Sequence, residues 1–303
     1  MFAMSHPFLA TLVEAQNPDG GWGAVRGRRS NTEATALAVM ALKAAGDPES
    51  ASNLRLGLDW LATRQNPDGS WPVIDSGSGG SWMTALAILA LSQFSGFERQ
   101  AMSGGQWALE HEGRRYSRLL KLWITITGQK KNLHLNPDLK GWAWSDGAFS
   151  WVEPTSYFVL ALKKIRPHLE GTRVAERIRQ GELLIYDRMC SGGGWNYGNA
   201  RVLGEALWPY PDVTAIALIA LQDHRDSEAN QLSARALQGM LERVDSGLAL
   251  SLGTLSLALY GQDVTKLRAR LAAAFQRTRF LGETKTFALS LLAMHDGERL
   301  LRV

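Results

Sequence analysis

Six stretches of the chain are apolar at almost every position: TALAVMAL (35–42), TALAILAL (84–91), TSYFVLAL (155–162), TAIALIAL (214–221), LGTLSLAL (252–259) and FALSLLAM (287–294). Their starts lie 49, 71, 59, 38 and 35 residues apart, so the period is loose and varies mainly in the connecting loops. Helices that are apolar on nearly all sides are buried. Segments of opposite character lie between them. Pro48–Arg64, Thr172–Met189 and Asp226–Val244 carry charges on one face and Leu or Ile at helical spacing on the other, which predicts outer helices. The packing solution is an all-α protein, an α/α toroid with six inner and about six outer helices and all inner N-termini at one end. An open solenoid of helical pairs is the alternative, and the count of inner segments favours the ring.

A second pattern punctuates the first. Gln16-Asn-Pro-Asp-Gly20-Gly-Trp22 returns as Gln65-Asn-Pro-Asp-Gly69-Ser-Trp71, with a frayed copy at Ser191-Gly-Gly-Gly-Trp195. Pro fixes φ, Asp bonds the following backbone and Gly accepts positive φ, so each phrase is a turn between helices. The Trp returns an apolar plate to the body, with an N–H that needs a partner. Gln can tie helix-end backbone across the turn. These are structural roles, and the phrases are read as staples.

Composition bounds the rest. With 303 residues and 45% hydrophobic content the chain can bury a full core, and no Pro- or Ser-rich linker divides it, so residues 1–303 are read as one domain. Met1–Ala10 lacks the basic and long apolar regions of a leader, and no apolar run reaches membrane-spanning length. A lone cysteine, Cys190, fits a reducing compartment, so a cytoplasmic location is expected. A net charge of +4 is too small to argue for nucleic acid. The excess is local: Arg114, Arg115, Arg118, Lys121, Lys130, Lys131 and Lys140 face one Asp between 113 and 140, a balance of 7 − 1 = +6. This basic insertion reads as an added outer helix. Peripheral docking on an anionic membrane or cover for the ring mouth are its other uses.

The Gln-x-x-x-Gly-x-Trp turn followed by a Thr-Ala-x-Ala-Leu octet resembles the repeat of squalene and oxidosqualene cyclases and of protein prenyltransferase β-subunits. SWVEPTSYFVLAL (150–162) and GGGWNYGNARVLGE (192–205) are similar to bacterial prenyltransferase and squalene-oxidase repeat proteins. The resemblance covers nearly the whole chain and implies the toroid. It carries catalysis over only partly. Cyclases open an inner helix with Asp-x-Asp-Asp-Thr-Ala, whose middle Asp protonates the polyene; Tyr210-Pro-Asp212-Val-Thr214-Ala keeps the Thr-Ala and, of the three acids, only Asp212 at the middle position. The chain is also about half the length of a two-domain triterpene cyclase, so a second domain is missing. Prenyltransferase β-subunits bind zinc through Asp, Cys and His. Cys190 has no His-rich motif nearby and reads as a buried small residue, so no metal and no cofactor is expected.

Candidate chemistry sits just before the octets. Glu33, Glu153 and Asp212 each stand two residues ahead of a Thr that opens an inner helix, which brings three carboxylates toward one rim. Gathered like charges raise one another's pKa, whereas capping and the helix dipole stabilise the anion. Arg26, Arg28, Arg29 and Arg201 lie among glycines in loops leading to the same rim and suit an anionic head group. Trp82, Trp142, Trp144, Trp151, Tyr157, Trp208 and Tyr210 are the aromatic residues for a cavity that holds a cation. Two functions follow. One is a reduced, single-domain terpene cyclase-like enzyme that protonates an isoprenoid; the other is a non-catalytic toroid that binds an isoprenoid, lipid or peptide beside a protein partner.

Overall fold

A computed structural model describes residues 7–74, 79–114, 116–117, 119, 126, 135–145, 147–169, 171–202 and 204–303. Most of the basic insertion lies outside the described residues. Helices alternate between two layers. The outer ones are α1 (Pro7–Glu14), α3 (Ala51–Thr63), α5 (Glu98–Glu110), α7 (Thr172–Asp187), α9 (Glu228–Leu241) and α11 (Thr265–Thr278). The inner ones are α2 (Thr32–Ala45), α4 (Thr84–Leu91), α6 (Val152–Ile165), α8 (Pro211–Ala220), α10 (Gly247–Leu259) and α12 (Thr284–Met294), with α13 (Glu298–Leu301) last. Each inner helix packs on the next, and α12 packs back on α2. That contact closes the ring, so the protein is an α/α toroid and the open solenoid is excluded.

The repeated turns hold inner to outer helices by one hydrogen-bond scheme. The backbone N–H of Trp22, Trp71, Trp142 and Trp195 donates to the hydroxyl of Thr35, Thr84, Thr155 and Thr214 at 2.9–3.0 Å. Their indole N–H groups donate to the carbonyls of Leu12, Leu61, Ala108 and Ile185 at the ends of outer helices. Gln16 and Gln65 bond the turn carbonyls of Gly20 and Gly69, and reach the next outer helix at Asn53 and Gln100. The second turn is possible because Gly69, at φ +92°, lets its backbone lie where a Cβ would meet Ser103 O at 2.4 Å.

Trp142, read from the sequence as a cavity aromatic, is the Trp of a fourth staple, fully enclosed, with the Arg177 guanidinium 3.7 Å from its ring centre. In the last staple the Trp195–Thr214 interval is six residues longer than the others, and the extra length carries a hairpin of β1 (Arg201–Val202) and β2 (Glu205–Ala206).

The far end of the ring is crossed by the C-terminal segment. Gln93 donates to Leu300 O, Lys164 to Arg302 O and Gln222 to Leu301 O, each from the end of an inner helix. The inner helices are buried along most of their length: residues 34–42, 84–91, 154–162, 213–221, 249–257 and 286–293 are all buried. No described helix is long and apolar enough to cross a membrane.

Candidate functional site

The inner helices meet solvent at both ends: Lys43–Ala45, Lys163, Lys164, Ala258 and Met294 are partly exposed at their C-terminal ends, and the N-terminal ends form the mouth. There one side chain per helix interrupts the buried run: Glu33 on α2, Trp82 just before α4, Glu153 on α6, Asp212 on α8, Leu248 on α10 and Lys285 on α12. On five helices this is the second helical position, and Trp82 stands in the same relation to Thr84 as Glu33 to Thr35. Equivalent positions on parallel helices of a ring converge on its mouth.

Charge organises that mouth. Lys285 Nζ lies 2.8 Å from Glu33 Oε1 and 3.8 Å from Glu153 Oε1, and each of the three side chains is about one-fifth exposed. The Glu33 contact joins neighbouring helices; the Glu153 contact spans the ring. A lysine at a helix N-terminus faces the positive end of the dipole, so its place here depends on its carboxylate partners. Burial alone would lower the Lys285 pKa, but Glu33, Tyr157 and Glu153 outweigh it and hold the ammonium firmly protonated.

Glu153 is the carboxyl whose acid form the site favours. Burial pushes its pKa up, Glu33 and Asp212 push it further, and Lys285 and a hydrogen bond from Trp144 only partly offset them. Asp212 accepts a hydrogen bond from the Tyr197 hydroxyl at 2.8 Å. Burial and the neighbouring Asp212 also raise the Tyr197 phenol, so the proton stays on Tyr197. The three carboxylates read from the sequence therefore share one electrostatic site.

Aromatic rings frame it unevenly. Trp82 lies 5.6 Å from Tyr157, and the Lys285 ammonium 5.9 Å from the Trp82 ring centre. Trp144 stacks on Trp151 at 5.0 Å and meets Tyr197 at 5.8 Å. Tyr210 meets Tyr197 at 5.7 Å and is half exposed. Trp208, on the strand exit of the hairpin, is 84% exposed and lines a separate hollow with Cys190, Pro209 and Met240. The four arginines are exposed: Arg26 pairs with Glu14 at 3.4 Å, Arg28 and Arg29 border a hollow beside Asn17 and Asp19, and Arg201 lies in β1.

Two residues central to the mouth, Lys285 and Tyr197, are absent from the sequence reading. The signal for Lys285 was positional, since it holds the same second helical place as Glu33. Tyr197 gave none. It reaches Asp212 only because the turn after Trp195 folds back over α8. Cys190 is buried and free. Glu182, Asp223 and His224 form the one group among the described residues with metal-ligand proximity, and the Lys163 ammonium already sits 2.6 Å from Glu182 and 2.5 Å from Asp223.

Comparison with known proteins agrees with this architecture. A family model described as the squalene-hopene cyclase C-terminal domain matches residues 4–81. No curated protein sequence matches the chain. Among solved structures, a protein from Actinoplanes superposes with a TM-score of 0.60 at 16% identity, covering 96% of this chain and 97% of that one. The type II terpene cyclase MstE from Scytonema gives 0.58 at 16%, covering 97% and 96%. An inactive variant of the alpha-1,6-mannanase GH76A of Salegentibacter sp. HEL1_6, in complex with alpha-1,6-mannotriose, gives 0.58 at 11%, covering 97% and 99%. The chain thus has the α/α toroid of the type II terpene cyclases, a fold that glycosidases share.

Proposed function

We propose that the protein is a type II terpene cyclase-like acid catalyst acting on an isoprenoid at the mouth of the ring, with Glu153 as proton donor. The observation that carries the reading is the gathering of Glu33 and Glu153 on Lys285 at 2.8 and 3.8 Å in a half-enclosed mouth shared with Asp212, where burial and the two other carboxylates raise the Glu153 pKa. With three carboxylates and one ammonium, full ionisation would leave two uncompensated negative charges, which favours the acid form of the buried Glu153. The similarity over residues 4–81 and the fold of the Scytonema enzyme, a variant of which is known in complex with its substrate geranylgeranyl dihydroxybenzoate, support an isoprenoid as the reactant.

In this mechanism a terminal alkene lies against Trp82, Tyr157 and Trp144. Its π pair takes the Glu153 proton to form a C–H bond, and the adjacent carbon becomes a tertiary cation. Aromatic faces stabilise that cation, while Lys285, 3.8 Å away, stabilises the Glu153 carboxylate left behind. Attack by the next alkene closes a ring, and loss of a proton ends the sequence, so the reaction is an isomerisation that needs no other reactant. Asp212, held by Tyr197, acts by its charge, and this replaces the role of proton donor expected of it from the cyclase motif.

A second reading is a toroid that binds an isoprenoid or lipid without converting it. The loss of two of the three acids of the cyclase motif, with Asp212 alone kept, favours it. Incubation with linear isoprenoids, with and without diphosphate, separates the two. Cyclised products support the catalyst; retention of an isoprenoid without conversion supports the binding module; neither binding nor conversion contradicts both.

A further inference from the structure

Behind the Trp144–Trp151 stack lies a second cavity of about 160 Å³, on the outer flank of the mouth. Its polar lining is Arg114, Arg188, Asn136, Ser150 and Asn199; Tyr116, Phe149 and Trp151 supply aromatic surface. The loop from Gly113 runs beside the loop that ends in Trp151, pinned by the Gly113 N–H to Gly141 O and the Arg114 N–H to Ala148 O at 3.1 and 2.7 Å. This pairing brings the Arg114 guanidinium to 5.7 Å from the Phe149 ring centre, and Tyr116 to 4.8 Å from it.

We infer that this cavity binds a small planar organic anion of the aryl carboxylate class. Three observations carry the inference. First, Arg188 is a cation buried to 7% exposure at the cavity wall, and burial lowers its pKa against the pull of Asp187 and Tyr116. Its Nη1 meets Asp187 Oδ2 at 2.8 Å, and that carboxylate also accepts the Asn136 N–H. One bond to Asp187 uses part of a five-donor fork that matches a carboxylate in two-point geometry. Second, Arg114 adds another positive charge. Among the described residues that line the cavity, the two arginines are the charged ones, and Asp187 bonds one of them. Third, the volume is close to the roughly 150 Å³ that accommodates one benzene-sized ring, and aromatic side chains form a wall for such a ring.

The site stands apart from the proposed chemistry at the mouth and does not depend on it. Within that reading it separates charges: an anionic head would sit with Arg114 and Arg188, screened by the Trp pair from Glu33, Glu153 and Asp212.

The test is calorimetric titration of the whole protein with sodium benzoate, its neutral isostere benzamide, and inorganic phosphate. Benzoate should bind at millimolar concentration, at least about tenfold more tightly than benzamide or phosphate. Arg114→Ala, at an exposed position that leaves the fold intact, should weaken benzoate severalfold; Arg188→Met should abolish binding. Circular dichroism of both variants shows whether the toroid persists, and the Arg114 variant decides if Arg188→Met unfolds. Equal affinity for benzoate and benzamide, tighter binding of phosphate than of benzoate, no benzoate binding, or unchanged binding by Arg114→Ala would each overturn the inference.

Discussion

Lys285 Nζ lies 2.8 Å from Glu33 Oε1, and this contact ties the last inner helix to the first at the open end of the ring. The same ammonium reaches across to Glu153 on the opposite wall. One residue therefore closes the ring electrostatically and sets the charge of the site.

Lys285→Met should expose that double role. Removing one partner of a largely buried pair costs about 3–5 kcal/mol, and the low end applies here because a fifth of each side chain remains wet. The cost should be present at neutral pH, where Glu33 loses the counter-ion that lies 2.8 Å from it. It should shrink on acidification, because a protonated carboxyl needs no counter-ion. Denaturant unfolding of wild type and variant at several pH values measures the gap; a gap that widens on acidification would contradict the arrangement.

The staples should be worth more than their surface position suggests. Trp71→Ala removes a fully enclosed indole and its bond to Leu61 O, and should cost about 3–5 kcal/mol. Thr84→Val keeps the shape but leaves the buried Trp71 N–H without its acceptor, and should cost about 1–3 kcal/mol. Gly104→Ala should also destabilise, because a Cβ there would meet the Trp71 ring at 2.8 Å and Ile88 at 2.9 Å. Unchanged thermal midpoints in all three would show that the repeat does not depend on its Trp.

Acid should loosen the turns first. Burial works against the Asp19 and Asp68 anions, but hydrogen bonds from Ser30, Gly21 and Trp60 to Asp19, and from Ser70 to Asp68, outweigh it and hold both carboxyls below the usual value of 3.8. A depressed pKa gives stability that is present above the unfolded value and lost as the pH falls through the folded one. Unfolding free energy should therefore decline below about pH 4, and the decline should be shallower in Asp19→Asn and Asp68→Asn. An equally steep decline in both variants would place the acid sensitivity elsewhere.

The ring was legible because its elements are written in local pattern: uniform apolarity for inner helices, one-faced apolarity for outer ones, and Pro-Asp-Gly for the turns. The fourth staple was overlooked because its phrase, Leu135-Asn-Pro-Asp138 before Gly141-Trp142, has Leu in place of Gln and one residue more, yet it keeps the interval of thirteen residues to its Thr that Trp22 and Trp71 keep. The carboxylates were found by the same positional logic. Lys285 was passed over because a search for acids does not see the base that balances them. Which carboxyl holds the proton could not be read from the chain, because it depends on the burial of Glu153, on charges arriving from α2, α8 and α12, and on Tyr197 folding back to Asp212.

The central claim is that Glu153 delivers a proton at the mouth of the ring. The direct measurement is product formation from a linear isoprenoid by wild type, Glu153→Gln and Asp212→Asn across a range of pH. Wild type should form cyclised product at a rate that falls as the pH rises through the raised Glu153 pKa, because only the acid form can donate. Glu153→Gln should form none while staying folded, and Asp212→Asn should retain activity with the fall moved to lower pH, since one of the charges that raises Glu153 is gone. Product formed by Glu153→Gln as fast as by wild type would contradict the account.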